Sequence, residues 1–373
     1  MASSDAASRI SAMDGLRGWA ALSVVIFHLT YELWGHARPE FRALPFNVIG
    51  SGRLAVAIFF SLSGYVLTIR RWRRDDNPPY WLTAFRRYVR LTIPIFVASM
   101  LYFAVMALGL APVGPASVII ENRAPVGVFG NFEPNFLEAL RFGVLYAYWP
   151  GFYHAYHPFL WTMFIELWGS FLVFFFSQNT KVFREPYSPL LLFAVLWLFL
   201  FPLAACFFLG ALVALLQRDG VLFKNPPTPR ESMIATVLFV AGVVGAGWMH
   251  VSSETMSLAT TKYLIPSALT GVVVTFAAVR SLPVSRFLMR PFSQGLAHLS
   301  FPVYLAHGIV AISFTALLVM WTASFGPIDD LDVLLIATAS VLASFALAQL
   351  LLPVEVFTLS LVSRIRRPSA SRA

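Results

Sequence analysis

Apolar residues run along this chain in long blocks rather than in alternation, near 16–34, 54–70, 91–111, 160–177, 188–217, 234–250, 264–280, 296–321 and 333–353. Such blocks fit helices that cross a hydrocarbon layer of about 30 Å at about 1.5 Å per residue, and they do not fit strands. A weaker block lies at 137–150. Proline (24 residues) and glycine (22) fall inside the blocks as well as between them, so bent or broken spans are expected.

Basic residues sort the connections. Arg70, Arg71, Arg73, Arg74, Arg86, Arg87 and Arg90 crowd the link between the second and third blocks. Short cytoplasmic loops retain such charges during insertion. Arg280, Arg286 and Arg290 mark another cytoplasmic loop, and Arg364, Arg366 and Arg367 mark the tail. Asp329, Asp330 and Asp332 mark the opposite face. Both termini are then cytoplasmic and the number of crossings is even. Ten fits if residues 137–217 supply three. Either 160–177 crosses once and 188–217 splits near Pro202, or 137–150 and 160–177 both cross and one long bent helix follows. The two divisions put Glu166 on opposite sides, and the pattern does not choose between them.

Composition strengthens this picture. Apolar residues make up 58% and charged residues 12%, against about 45–50% and about 25% in soluble domains, so the surplus must face lipid. The expectation is an all-α polytopic membrane protein, a bundle of about ten transmembrane helices, in a membrane the sequence does not specify: endomembrane or plasma membrane. The net charge of +9 reads as cytoplasmic loops rather than a nucleic-acid surface. Cys206 is the single cysteine, which excludes an intrachain disulfide. The opening stretch MASSDAASRISAMDG is polar and lacks the apolar core of a signal peptide. Residues 1–11 are expected to be a disordered cytoplasmic segment, 12–360 a single transmembrane domain and 361–373 a basic cytoplasmic tail.

An ionisable group in hydrocarbon costs about 2.5–3.5 kcal/mol at a helix centre, so each one asks for a reason. Arg17 and His28 lie eleven positions apart on the first block. At 100° per residue they return to within roughly 20° of one face, about 16 Å apart. Glu32, four positions beyond His28, continues the stripe and is placed to fix the imidazole tautomer. The bland reading has Arg17 snorkelling, Glu32 at the interface and His28 in the core. Ser300, Tyr304 and His307 share a face of a late helix, where a neutral imidazole serves as a general base or the helix end is simply wet. Glu166 stands in an apolar run and is either partnered by a cation or shifted towards neutrality; Arg17, Arg87 and Arg90 are the available partners, with nothing in the spacing to say which. His154 and His157, three apart, lack a third ligand, so no metal is expected and wetted loop histidines are the default. Ser63 and Gly64 allow close helix packing or a bare backbone beside a ligand. Arg87 and Arg90, at the membrane boundary, suit phosphates or, more blandly, anionic lipids.

Together these patches resemble acyltransferase family 3, the integral-membrane acyltransferases. The resemblance rests on DGLRG with Arg17-x10-His28, FFSLSGY (Phe59 to Tyr65), Arg87-x-x-Arg90 with Pro94, Trp161 with Glu166, and Ser-x3-Tyr-Leu-x-His from Ser300 to His307. It covers residues 12 to about 352. Phe301-Pro302 and the Pro/Gly-rich stretch from Ala111 to Pro134 depart from the pattern. The resemblance implies transfer of an acyl group, usually acetyl from acetyl-CoA, to a hydroxyl of a small molecule, with a secondary metabolite the expected acceptor and a polysaccharide or glycolipid its rival. It makes Arg17 and His28 the essential pair, with Glu166 completing the catalytic set and Arg87, Arg90, Ser63, Tyr304 and His307 about the donor. No metal is implied. The competing class is a proton-coupled transporter or exporter using the same buried charges as a relay.

Overall fold

The computed structural model describes residues 2–72, 78–121, 132–149, 156–179, 187–223, 225–251 and 261–365. Among these residues there is no strand. Helix α1 (Ala2–Ile26) runs into a π-helical turn at Phe27–Glu32, and after α2 (Leu44–Ile49) come α3 (Gly52–Trp72) and α4 (Tyr80–Ala107). Short helices α5 (Val113–Ile119) and α6 (Phe136–Val144) precede α7 (Trp161–Asn179), α8 (Tyr187–Leu200) and α9 (Pro202–Arg218). Then follow α10 (Pro229–Val251), α11 (Thr261–Arg280), α12 (Leu282–Leu288), α13 (Pro291–Val310), a second π turn at Ala311–Thr315, α14 (Ala316–Ala323) and α15 (Asp330–Arg364).

Among the described residues, seven of these stretches are long and apolar enough to cross a membrane, and α11 with α12, bent by 89°, makes an eighth where the pair is one broken span rather than a re-entrant loop. Helices α8 and α9 are apolar but shorter, so the bundle approximates the expected ten. The weaker block at 137–150 does not cross. Its helix α6 ends at Val144 and gives way to a 3-10 turn at Tyr146–Tyr148. Of the two divisions, the chain therefore adopts the one broken near Pro202. Helix α8 ends with Phe201 N–H on Trp197 O at 2.8 Å, and Pro202 opens α9, a position that needs no N–H donor.

Helices α1, α3 and α13 form the centre, with α4, α7, α9 and α15 packed around them. Lipid-facing character increases outward: only 22% of the apolar window of α10 is buried. Glycines set the close crossings. A Cβ on Gly64 would strike the Phe207 carbonyl, and one on Gly210 would strike that of Ser61, so α3 and α9 meet backbone to backbone. The ends are secured by polar contacts. Arg86 Nε donates to Ile365 O at 3.0 Å at the end of α15, and Asp329 caps its start through a capping box with Asp332. Arg73, Arg74, His154 and the tail from residue 366 lie outside the described residues.

Candidate functional site

A cavity of about 270 Å³ opens between α1, α3, α4, α7, α13 and α15. Local packing explains which side chains reach it. In DGLRG, Gly15 lies against the Leu288 carbonyl and Gly18 against Leu296 and Ala297, so α1 presses onto α12 and α13. Trp19 Nε1 reinforces that seam by donating to Ser293 Oγ at 3.0 Å. Arg17, on another side of the helix, is left on the cavity wall. The same division of labour holds in α3, where Gly64 packs on α9 and Ser63 faces the cavity. Packing is thus the role of Gly64.

Glu166 has a cation as its partner, and that cation is Arg87. Their ion pair is nearly buried, each side chain retaining 11% exposure. Ser63 Oγ donates to Glu166 Oε1 at 2.8 Å, and Arg87 Nε donates to Ser170 Oγ at 3.1 Å. The guanidinium expected to hold donor phosphate is therefore already engaged inside the protein. Arg90, one turn further along α4, also lines the cavity. Arg17 Nη1 lies 3.3 Å from Asp14 Oδ1, both side chains part-exposed. Tyr65 donates to Gln217 on the same wall. Just beyond α9, the Arg218 guanidinium holds the Asp219 carboxyl below the usual range against the opposing effect of burial.

The polar wall runs inward to Thr162 and Tyr304, whose hydroxyls are 2.6 Å apart. Tyr304 donates to the Phe159 carbonyl, so both hydroxyl protons are in use within the protein. Beyond them lies a second polar region, built from imidazoles. His28, in the π turn of α1, is bonded through Nδ1 to the Glu32 carboxylate. That bond places the proton on Nδ1 and leaves the Nε2 lone pair as the basic atom. The His28 ring stacks on His307 at 5.2 Å and lies 3.8 Å from Phe159. His307 donates from Nδ1 to Val303 O at 3.2 Å, while its Nε2 is buried with no hydrogen-bond partner.

His157 is not a wetted loop histidine. It is fully buried, its ring 6.0 Å from that of His307, and its Nε2 donates to Leu305 O at 2.7 Å. Its backbone has a φ of 116°, a conformation that a non-glycine residue holds only against strain. Gly308 makes room, since a Cβ there would meet the His157 ring at 2.7 Å. Among the described residues, no group of three His, Cys, Asp or Glu is arranged to hold a metal.

The structure therefore brings Arg17, Ser63, Arg87, Arg90, Glu166 and Tyr304 to one cavity. It sets His28 and His307 together behind Tyr304, off that wall. Glu32 joins them, and its part-buried contact with His28 is not that of a residue left at the interface. Two further residues belong to these regions without being expected there. His157 reads in the sequence only as a metal ligand without partners or a wetted loop histidine, since a histidine before a proline at a helix start looks like a loop. Glu355, inside LLLPVEVFTL, carries the same signal as Glu166, an acid in an apolar run, and it too lines the cavity.

A family model described as an acyltransferase domain matches residues 10–352. The acyltransferase MdmB of Streptomyces mycarofaciens is 28% identical over 118 residues, 31% of this chain and 29% of that protein. The peptidoglycan O-acetyltransferase OatA of Listeria monocytogenes is 26% identical over 99 residues, 25% of this chain and 14% of that protein. The match spans less than a third of the length of either relative. No solved structure matches significantly.

Proposed function

The chain belongs to this acyltransferase family, and from that premise we propose that it is a membrane-embedded O-acyltransferase moving an acetyl group from acetyl-CoA to a hydroxyl of a small molecule. One observation carries the reading. A cavity bearing Arg17 and Arg90 leads inward to Thr162 and Tyr304, against the imidazole cluster in which Glu32 leaves His28 Nε2 free to accept a proton.

The donor's phosphates meet Arg90 and Arg17 at the basic, cytoplasmic side, where guanidinium and phosphate pair well. Arg17 lies about 16 Å from His28 along α1, so it orients the donor rather than touching the reacting carbonyl. His28 Nε2 takes the acceptor's hydroxyl proton while the new C–O bond forms and the thioester C–S bond breaks. The departing thiolate of CoA then receives that proton from His28 Nε2, which returns the imidazole to its neutral form. General-base assistance of this kind is worth about 10²–10⁴ in rate. Arg87 and Glu166 act as a fixed pair that holds α4 to α7 beside the donor. Ser63 supports that pair, and Tyr304 with Thr162 lines the way from the donor chamber towards the histidines. The acceptor proposed is a secondary metabolite. The glycan substrate in the Listeria relative's name keeps a polysaccharide as the rival acceptor.

Membranes containing the protein, incubated with acetyl-CoA and candidate acceptors, are expected to yield acceptors heavier by one acetyl group in mass spectrometry. Flux of an unmodified compound coupled to a proton gradient, with no mass change, would replace this reading by that of a transporter. A glycan that gains the acetyl group while small molecules do not would move the acceptor class.

A further inference from the structure

The cavity wall carries six ionisable side chains, the bases Arg17, Arg87 and Arg90 and the acids Asp14, Glu166 and Glu355. Their formal charges cancel, which makes an indifferent receptor for a polyanion. The three acids are not equivalent. Glu166 is locked by Arg87 and Ser63 into the scaffold. Asp14 sits beside Arg17 at the part-exposed rim. Glu355 projects from α15, an otherwise apolar stretch of helix, and its Oε2 is buried with no hydrogen-bond partner. The charges that face it are Arg90 from α4, His298 from α13 and Arg17 from α1. A carboxylate placed there opposes the field that Arg90 and Arg17 present to a ligand in the cavity.

We propose that Glu355 is a specificity-determining residue of the donor site, a built-in carboxylate that competes with the donor's phosphates for Arg90 and Arg17. The inference rests on the acyl-CoA reading above. Because Glu355 stays in the cavity, a ligand with one or two charges gains little there. Coenzyme A succeeds by combining several phosphate charges with the uncharged arm that fills the cavity's apolar length. The same competition weakens the hold on the CoA thiol once the acyl group has left.

The test measures binding of CoA and of pantetheine, its uncharged fragment, to the full-length protein in detergent by titration calorimetry. In Glu355→Gln, CoA is expected to bind about tenfold more tightly, with pantetheine unchanged and the gain shrinking as salt rises. Glu355→Asp, which keeps the charge, stays near wild type. Glu355→Met, charge-free and compatible with an apolar helix, carries the same expectation as Gln should that variant fail to purify as a monodisperse protein. A CoA affinity that ignores loss of the charge, or an equal change for pantetheine, overturns the inference alone. Failure of the wild type to bind CoA overturns the donor reading and this inference with it.

Discussion

The two polar regions of this bundle solve the problem of buried polarity in opposite ways. The cavity holds formal charges in opposed sets, near water at its rim and tied across helices deeper in. The histidine cluster holds rings packed on Phe159 and on each other, each N–H directed to a carboxylate or a backbone carbonyl. Ions suit binding of a charged ligand, whereas a dry, aromatic setting suits an imidazole that must be neutral before it accepts a proton. The separation lets each region be disturbed without the other.

The largest effect is expected at His28. His28→Ala should abolish product while leaving the amount of membrane-inserted protein unchanged; turnover within about tenfold of wild type, less than a general base usually contributes, would remove the base from the cluster. Breaking the cavity's buried pair should act on folding instead. Glu166→Ala leaves Arg87 uncompensated and should cost about 3–5 kcal/mol of stability, while Arg87→Met with Glu166→Met should recover much of it, read as thermal midpoints in detergent. Glu32→Gln keeps the shape but weakens the hold on the imidazole tautomer. It should lower kcat by up to about 10²-fold, part of the base's contribution, with little change in the donor's KM. Gly308→Ala drives a methyl group into the His157 ring and should cost about 1–3 kcal/mol by overpacking. Its thermal midpoint, set beside CoA affinity, distinguishes damage to the cluster from damage to the cavity. The smallest effect is reserved for an ion pair outside both regions: Arg38 with Asp330, 2.8 Å apart and with the aspartate 92% exposed. Asp330→Asn should change stability by less than about 1 kcal/mol.

Much of this was legible from residue order. Length and apolarity alone imply the helical membrane bundle, and misplaced charges point to Arg17, Glu166 and the late-helix histidine. Partners were less legible, because pairing depends on how helices cross. Glu166 asked for a cation or for neutrality, and only the approach of α4 to α7 supplies Arg87 rather than Arg90 as its partner. Equal steps of 100° also assume an unbroken α-helix, and nothing in the hydrophobic period reveals the π turn at Phe27–Glu32. Val24, still in the regular helix, lies on the cavity wall with Arg17, while His28, in the π turn, sits behind it. The short helix α6 was ambiguous for a different reason: its residues are apolar enough for a core and too few for a bilayer.

That widened turn makes the spelling of the opening helix informative in its very length. A π turn accommodates one residue more than a regular coil would hold over the same rise. Deleting one of residues 29 to 31 would let the coil tighten to a regular one, and His28 and Glu32 would then stand three positions apart instead of four. Composition, charge and hydropathy would hardly register the loss, yet the base and its carboxylate would no longer look the same way. In this stretch the tally of positions is itself part of the chemistry, and an insertion or a deletion there is a harsher change than most replacements.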